Sequence, residues 1–179
     1  MKIKSNKDLS VYLSKDKIND RVKEIASQLS NKFSKEYPVI IGVLNGSFIF
    51  LADLVRLFDF DCEIDFIKVN SYCGKESSGK VKLDQDVSID ISNRKVILVE
   101  DVIDSGLTIE FLYKHILSFK PKDVTIATLL SKTNNYKLNF DVDIKGFEIG
   151  PDFVVGYGLD FNHKYRNLDS LYGLKKKIS

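Results

Sequence analysis

Three short apolar runs constrain this chain most: VIIGVL (39–44), VILV (96–99) and VTIATLL (124–130). They are rich in β-branched residues and do not alternate with polar ones. Such runs form strands covered on both faces, as in parallel sheets. Helical patterns separate them. Over 18–33, Ile18, Val22, Ile25, Ala26, Leu29 and Phe33 recur at helical spacing, with Asn19 and Asp20 placed as capping residues. FIFLADLVRLF (48–58) predicts a buried helix. Over 108–119, Ile109, Leu112, Tyr113, Ile116 and Leu117 predict another, closed by Pro121. CEIDFIKV (62–69) alternates, placing Cys62, Ile64 and Phe66 on one face of a strand. Shorter strands are predicted near 146–149 and 152–158. Strands alternating with helices imply an α/β fold, with a mostly parallel central sheet flanked by helices on both faces. In such sheets ligands bind beyond the carboxyl ends of the strands.

Composition removes several classes. The 179 residues fit one domain. Twenty-seven basic and twenty-five acidic residues leave a net charge of +2, which argues against a nucleic-acid binder. KYR (164–166) and KKK (175–177) leave only local basic patches, and an RNA-binding regulator would need more. No apolar run approaches the ~20 residues that span a bilayer. MKIKSNKDLS has no apolar signal core. Two cysteines, Cys62 and Cys73, make neither a disulfide framework nor a CxxC metal pattern. A reduced cytoplasm is the expected compartment, without a membrane partner.

The chemistry concentrates after VILV. EDVIDSGLT (100–108) carries Glu100, Asp101 and Asp104, then Ser105, Gly106, Leu107 and Thr108 where a helix begins. Free backbone N–H groups at a helix start bind anions. Gly106 allows close backbone approach, and Ser105 and Thr108 add hydroxyl donors. The acids would repel a bare phosphate but suit Mg²⁺ or sugar hydroxyls. Singly, each of these residues also fits an ordinary helix cap. Together they suit a sugar phosphate with magnesium. The stretch SYCGKESSGKVKLDQD (71–86) is polar and long for a connection, and reads as a mobile lid.

VILVEDVIDSGLT (96–108) resembles the phosphoribosyl-pyrophosphate (PRPP) motif of phosphoribosyltransferases, in the form of the hypoxanthine-guanine branch. VLNGS (43–47), SYCG (71–74), LLSK (129–132) and PDFVVGYGLDFNHKYRNL (151–168) follow in the family's order, so the resemblance covers most of 39–168. It implies a type I phosphoribosyltransferase fold. The core would span about 15–150, and a small hood would join the C-terminal segment, about 151–179, to the N-terminus. The implied reaction moves ribose 5-phosphate from PRPP to hypoxanthine or guanine, with Mg²⁺ required. A homo-oligomer, dimer or tetramer, is also implied.

The resemblance assigns roles by position. Asp104, Ser105, Gly106, Leu107 and Thr108 would hold the 5-phosphate. Glu100 and Asp101 would engage the ribose and a magnesium ion. Asp104 would also be the general base, taking the proton of the purine ring nitrogen. Lys132 would donate to the carbonyl oxygen of an oxopurine, Phe153 would stack on the ring, and Val154 would offer backbone groups. Asp160 would serve the base and a second magnesium. Asn45, Gly46 and Arg166 would bind pyrophosphate, and Ser71 and Tyr72 would close as the lid. Read alone, Lys132 is a solvated lysine, Phe153 a core residue and Arg166 a surface cation. Asn45 stands where the family commonly carries Lys or Arg, so the pyrophosphate loop lacks its usual cation.

Overall fold

The computed structural model describes residues 8–71, 81–132 and 135–174. Its elements run β1 (Leu9–Leu13), α1 (Lys15–Phe33), β2 (Val39–Leu44), α2 (Phe48–Val55), β3 (Glu63–Ser71), β4 (Val81–Gln85) and β5 (Lys95–Ile103). Then come α3 (Leu107–Ser118), β6 (Asp123–Ser131), β7 (Ile144–Glu148), β8 (Val154–Val155) and β9 (Leu171–Leu174).

The large sheet has the order β4-β3-β2-β5-β6-β7. Its pairs are parallel except β3–β4, at one edge. This is the α/β architecture that the apolar runs predict, and alternation within each run explains why both faces are apolar. Ile40, Ile97, Val99, Ala127 and Leu129 face α1 and α2. Val39, Ile41, Val43, Val96, Leu98 and Ile126 face Ile109, Leu112 and Ile116 of α3. Burying each large side chain contributes about 1.5–3 kcal/mol relative to exposure. Helix α1 buries the predicted stripe, Ile18, Val22, Ile25, Ala26, Leu29 and Phe33. It starts earlier than predicted: Ser14 is its N-cap, with Oγ accepting from the Lys17 N–H at 3.4 Å. Asn19 and Asp20 lie inside the helix, not at its cap.

Other boundaries differ for local reasons. Strand β5 runs to Ile103, so Glu100 and Asp101 are strand residues rather than the start of the loop. The predicted strand at 152–158 is only Val154–Val155, because Gly156, Tyr157 and Gly158 take φ of +101°, +47° and +98°. Those values turn the chain. In β3 the fully buried residue is Ile67, while Ile64 is exposed. Buried beside it, Asp65 accepts backbone N–H groups from Phe66, Ser88 and Ile89 at 2.6–3.0 Å. Part of the expected lid is a strand: Val81–Gln85 pairs antiparallel with β3. Tyr72 and the rest of 72–80 lie outside the described residues, as does KKK (175–177).

A second, antiparallel sheet has the order β1-β9-β8, which brings the N-terminal strand beside C-terminal ones. The Lys15 N–H donates to Ser170 Oγ at 3.0 Å where this sheet meets α1. Val154, Tyr157, Leu159 and Leu171 share the core packed under α1 and α2. No helix among the described residues is long and apolar enough to cross a membrane.

Candidate active site

Two strand-to-helix turns lie at the carboxyl ends of neighbouring strands. The first joins β5 to α3. After Ile103 the chain bends through Asp104 and Ser105, and Gly106 takes φ +79° as the α3 N-cap. That left-handed conformation favours glycine. A Cβ there would also sit 2.9 Å from Tyr136 Cβ. No side chain caps α3, so its first N–H groups face outward without an intrahelical partner. Ser105 and Leu107 are exposed and Thr108 is half-buried.

The second turn joins β2 to α2. The Leu44–Asn45 peptide is cis. Gly46 lies against the Asp101 carboxylate: a Cβ at 46 would fall 1.8 Å from Asp101 Oδ2. On its other side the Gly46 carbonyl faces Gly158, where a Cβ would come within 2.1 Å. The Ser47 hydroxyl donates back to the Val43 carbonyl at 2.6 Å and is buried.

Between these turns opens a cavity of about 600 Å³. Asn45, Gly46, Asp101, Asp104, Lys132, Phe153, Val154, Asp160 and Arg166, all named from the sequence, line it. Glu100 and the 105–108 segment are not among its lining residues and adjoin it through Asp101 and Asp104. Ser71 ends β3, with its backbone paired to Val81. Lys68, Asn70 and His163 also line the cavity, and the sequence reading missed them. The signal for the first two was available, since alternation places Lys68 and Asn70 together near the carboxyl end of a strand.

Electrostatics divides the site into three. Glu100 and Asp101 are adjacent and buried. Burial, then the neighbouring Asp101 charge, raises the Glu100 carboxyl well above its ordinary value. Burial also raises Asp101, against hydrogen bonds and the charge of Arg166. Glu100 Oε2 is buried with no hydrogen-bond partner among the described residues. Such a pair suits a cation or sugar hydroxyls. Asp160 is not part of a three-carboxylate cluster with them: among the described residues no group of three or more such ligands gathers.

Asp104 and Lys132 form the second group. Lys132 Nζ donates to Asp104 Oδ2 at 2.7 Å, and Asn135 Nδ2 donates to Oδ1 at 3.1 Å. Burial raises the Asp104 carboxyl, but the hydrogen bonds from Lys132 and Asn135, with the Lys132 charge, outweigh it and hold Asp104 below its usual value. In the third group, Arg166 bonds the Asp160 carboxylate at 2.6 Å and donates to the Gly158 carbonyl at 2.7 Å. The remaining Asp160 oxygen accepts the His163 N–H at 2.7 Å. Phe153 is 41% exposed and meets Phe161 edge to face at 5.8 Å, leaving its ring accessible.

A model of the phosphoribosyl transferase domain matches residues 10–162. The chain belongs to the phosphoribosyltransferase family. It is 41% identical to the hypoxanthine-guanine phosphoribosyltransferase of Aquifex aeolicus, over 96% of this chain and 98% of that one. It is 39% identical to that of Bacillus subtilis, over 94% of each. Among solved structures, a Bacillus anthracis hypoxanthine-guanine phosphoribosyltransferase with HEPES in its active site superposes with a TM-score of 0.87. It is 42% identical, over 93% of this chain and 98% of that one. A Staphylococcus aureus hypoxanthine phosphoribosyltransferase gives 0.89 at 35% identity, over 97% of each. These likenesses extend along nearly the whole phosphoribosyltransferase chain, so they include both turns and the small sheet.

Proposed function

We propose that this chain transfers ribose 5-phosphate from PRPP to hypoxanthine, and to guanine, giving IMP or GMP and pyrophosphate. The observation that carries the reading is the arrangement of one cavity. Asp101 of the buried carboxylate pair, Asp104 beside Lys132 and the open Phe153 ring line it, and Glu100 and the anion-binding turn at 105–108 adjoin it. That set answers the parts of the reaction: a phosphate, a ribose, a proton and a flat oxopurine.

The backbone of 104–108, with Ser105 and Thr108, holds the 5-phosphate. Phe153 stacks on the base, the Val154 backbone meets its edge, and Lys132 donates to the carbonyl oxygen. For this, Lys132 leaves Asp104, whose carboxylate then faces the ring nitrogen. As the other imidazole nitrogen of the purine attacks the anomeric carbon through its free lone pair, the proton on the nitrogen facing Asp104 passes to that carboxylate and the bond from carbon to pyrophosphate oxygen breaks. The backbone at Asn45 and Gly46, with Arg166, receives the pyrophosphate. Ser71 and Tyr72 cover the reacting centre and exclude water. The small sheet and the segment after 150 act as a hood over the core and supply the base pocket.

The buried pair with its unpartnered Glu100 oxygen fits Mg²⁺, with Glu100 and Asp101 as holders and Asp160 for a second ion. Magnesium keeps waters and substrate oxygens, so a protein cluster of three carboxylates is not needed. When bound, it neutralises charge on the departing pyrophosphate. We assign the enzyme to the cytoplasm as a homo-oligomer without nucleic-acid or membrane partners.

The test is direct. Purified protein with hypoxanthine, PRPP and Mg²⁺ is expected to form IMP and pyrophosphate in equal amounts. Absence of IMP would overturn the reading.

A further inference from the structure

Three cations and three acids line the cavity: Lys68, Lys132 and Arg166 against Asp101, Asp104 and Asp160. Lys132 is held by Asp104 and Arg166 by Asp160. Among the described residues Lys68 has no ion-pair partner, and it is half-buried in the cavity wall. A half-buried cation is retained against desolvation when an anion neutralises it. Its place identifies which anion. In the parallel β2–β3 pair, Lys68 stands opposite Leu44. It is therefore one step across the sheet from Asn45 and Gly46. That turn offers an amide side chain and backbone groups, but no cation of its own. The opposite turn, at 104–108, is reached from β5, on the other side of β2.

We propose that Lys68 adds positive charge for pyrophosphate beside Arg166, taking over from β3 a task that the neutral Asn45 leaves unfilled. The inference rests on the proposed reaction for the identity of the anion. The flexible stem of lysine suits the task, because its ammonium can follow the anion through binding and release. Lys68 is a binding residue for the leaving group and takes no proton in the reaction.

The test compares Lys68→Met with the parent chain, titrating magnesium pyrophosphate and IMP separately by calorimetry. Losing one charge-assisted contact weakens binding by about tenfold. That loss is expected for pyrophosphate, with a matching rise in KM for PRPP, while IMP affinity stays within about twofold, since it lacks the pyrophosphate. Lys68→Arg should retain pyrophosphate affinity. Asn45→Lys, added to Lys68→Met, should restore most of it. Unchanged pyrophosphate binding in Lys68→Met overturns the proposal. An equal loss for IMP also overturns it, because it would show a general disturbance of the site. If the parent forms no IMP yet binds pyrophosphate through Lys68, the reaction is wrong and the anion site stands.

Discussion

The turns at 44–47 and 104–108 are built alike and behave differently. Each leads from a parallel strand into a helix, and β2 and β5 are neighbours in the sheet. At 104–108 the glycine is required by its own backbone conformation, and the residues around it stand open to receive an anion. At 44–47 the glycine is required by another segment, since a Cβ would meet the Asp101 carboxylate, and its carbonyl in turn leaves room only for glycine at 158. One turn is a local design and the other is a junction. A junction transmits displacement: a shift at Gly46 reaches Asp101 and the Gly158 turn, whereas a shift at Gly106 reaches Tyr136 and Leu138.

The largest effect should come from Asp104, which begins the open turn and lines the cavity. Asp104→Asn keeps its shape and removes the base, so turnover should fall by about 10²–10⁴-fold. PRPP affinity should barely change, as steady-state kinetics would show. Gly46→Ala tests the junction. Its Cβ cannot coexist with Asp101 Oδ2, and displacement on the ångström scale costs up to about 10²-fold. Both kcat and PRPP binding should fall. If only one changes, the turn is not a junction.

Gly106→Ala tests the local design. The left-handed conformation costs about 1–2 kcal/mol for a residue with a Cβ, and the contact with Tyr136 adds to it. Urea unfolding should register the loss, with pyrophosphate binding intact. Smaller still, Thr108→Val should weaken IMP by several-fold, about 0.5–1.5 kcal/mol for one hydrogen bond, and leave pyrophosphate unaffected. Last, Asp104 should give kcat/KM a lower acid limb, below the ordinary aspartate value of about 3.9 and beneath the limb set by the raised Glu100 and Asp101. Asp104 is held low by Lys132 and Asn135, so its ionised form persists as pH falls. Lys132→Met should move that limb upward in a pH–rate profile, whatever it does to the rate.

This contrast also explains what the chain discloses about itself. The open turn was legible because its chemistry lies in consecutive residues, from Glu100 to Thr108. The parallel sheet was legible because both faces of each inner strand are apolar. The junction was not, since the contact of Gly46 with Asp101 exists only once β2 and β5 pair in register. Lys132, Phe153 and Arg166 were indistinguishable from ordinary residues until a resemblance placed them. Asn135 gave no signal, as its bond to Asp104 depends on how the chain turns after β6. The alternation of Val81 and Leu83 was present but masked by the polar run around it. Three successive left-handed residues at 156–158 cut short a strand that hydrophobicity alone predicted.

The central claim is that the two turns divide the substrate, one taking the 5-phosphate and the other the pyrophosphate. Calorimetric titration of IMP and of magnesium pyrophosphate into Gly46→Ala and Thr108→Val tests it most directly. The account predicts a crossed result: Gly46→Ala loses pyrophosphate more than IMP, and Thr108→Val loses IMP alone. Parallel losses of both ligands in both variants would contradict it.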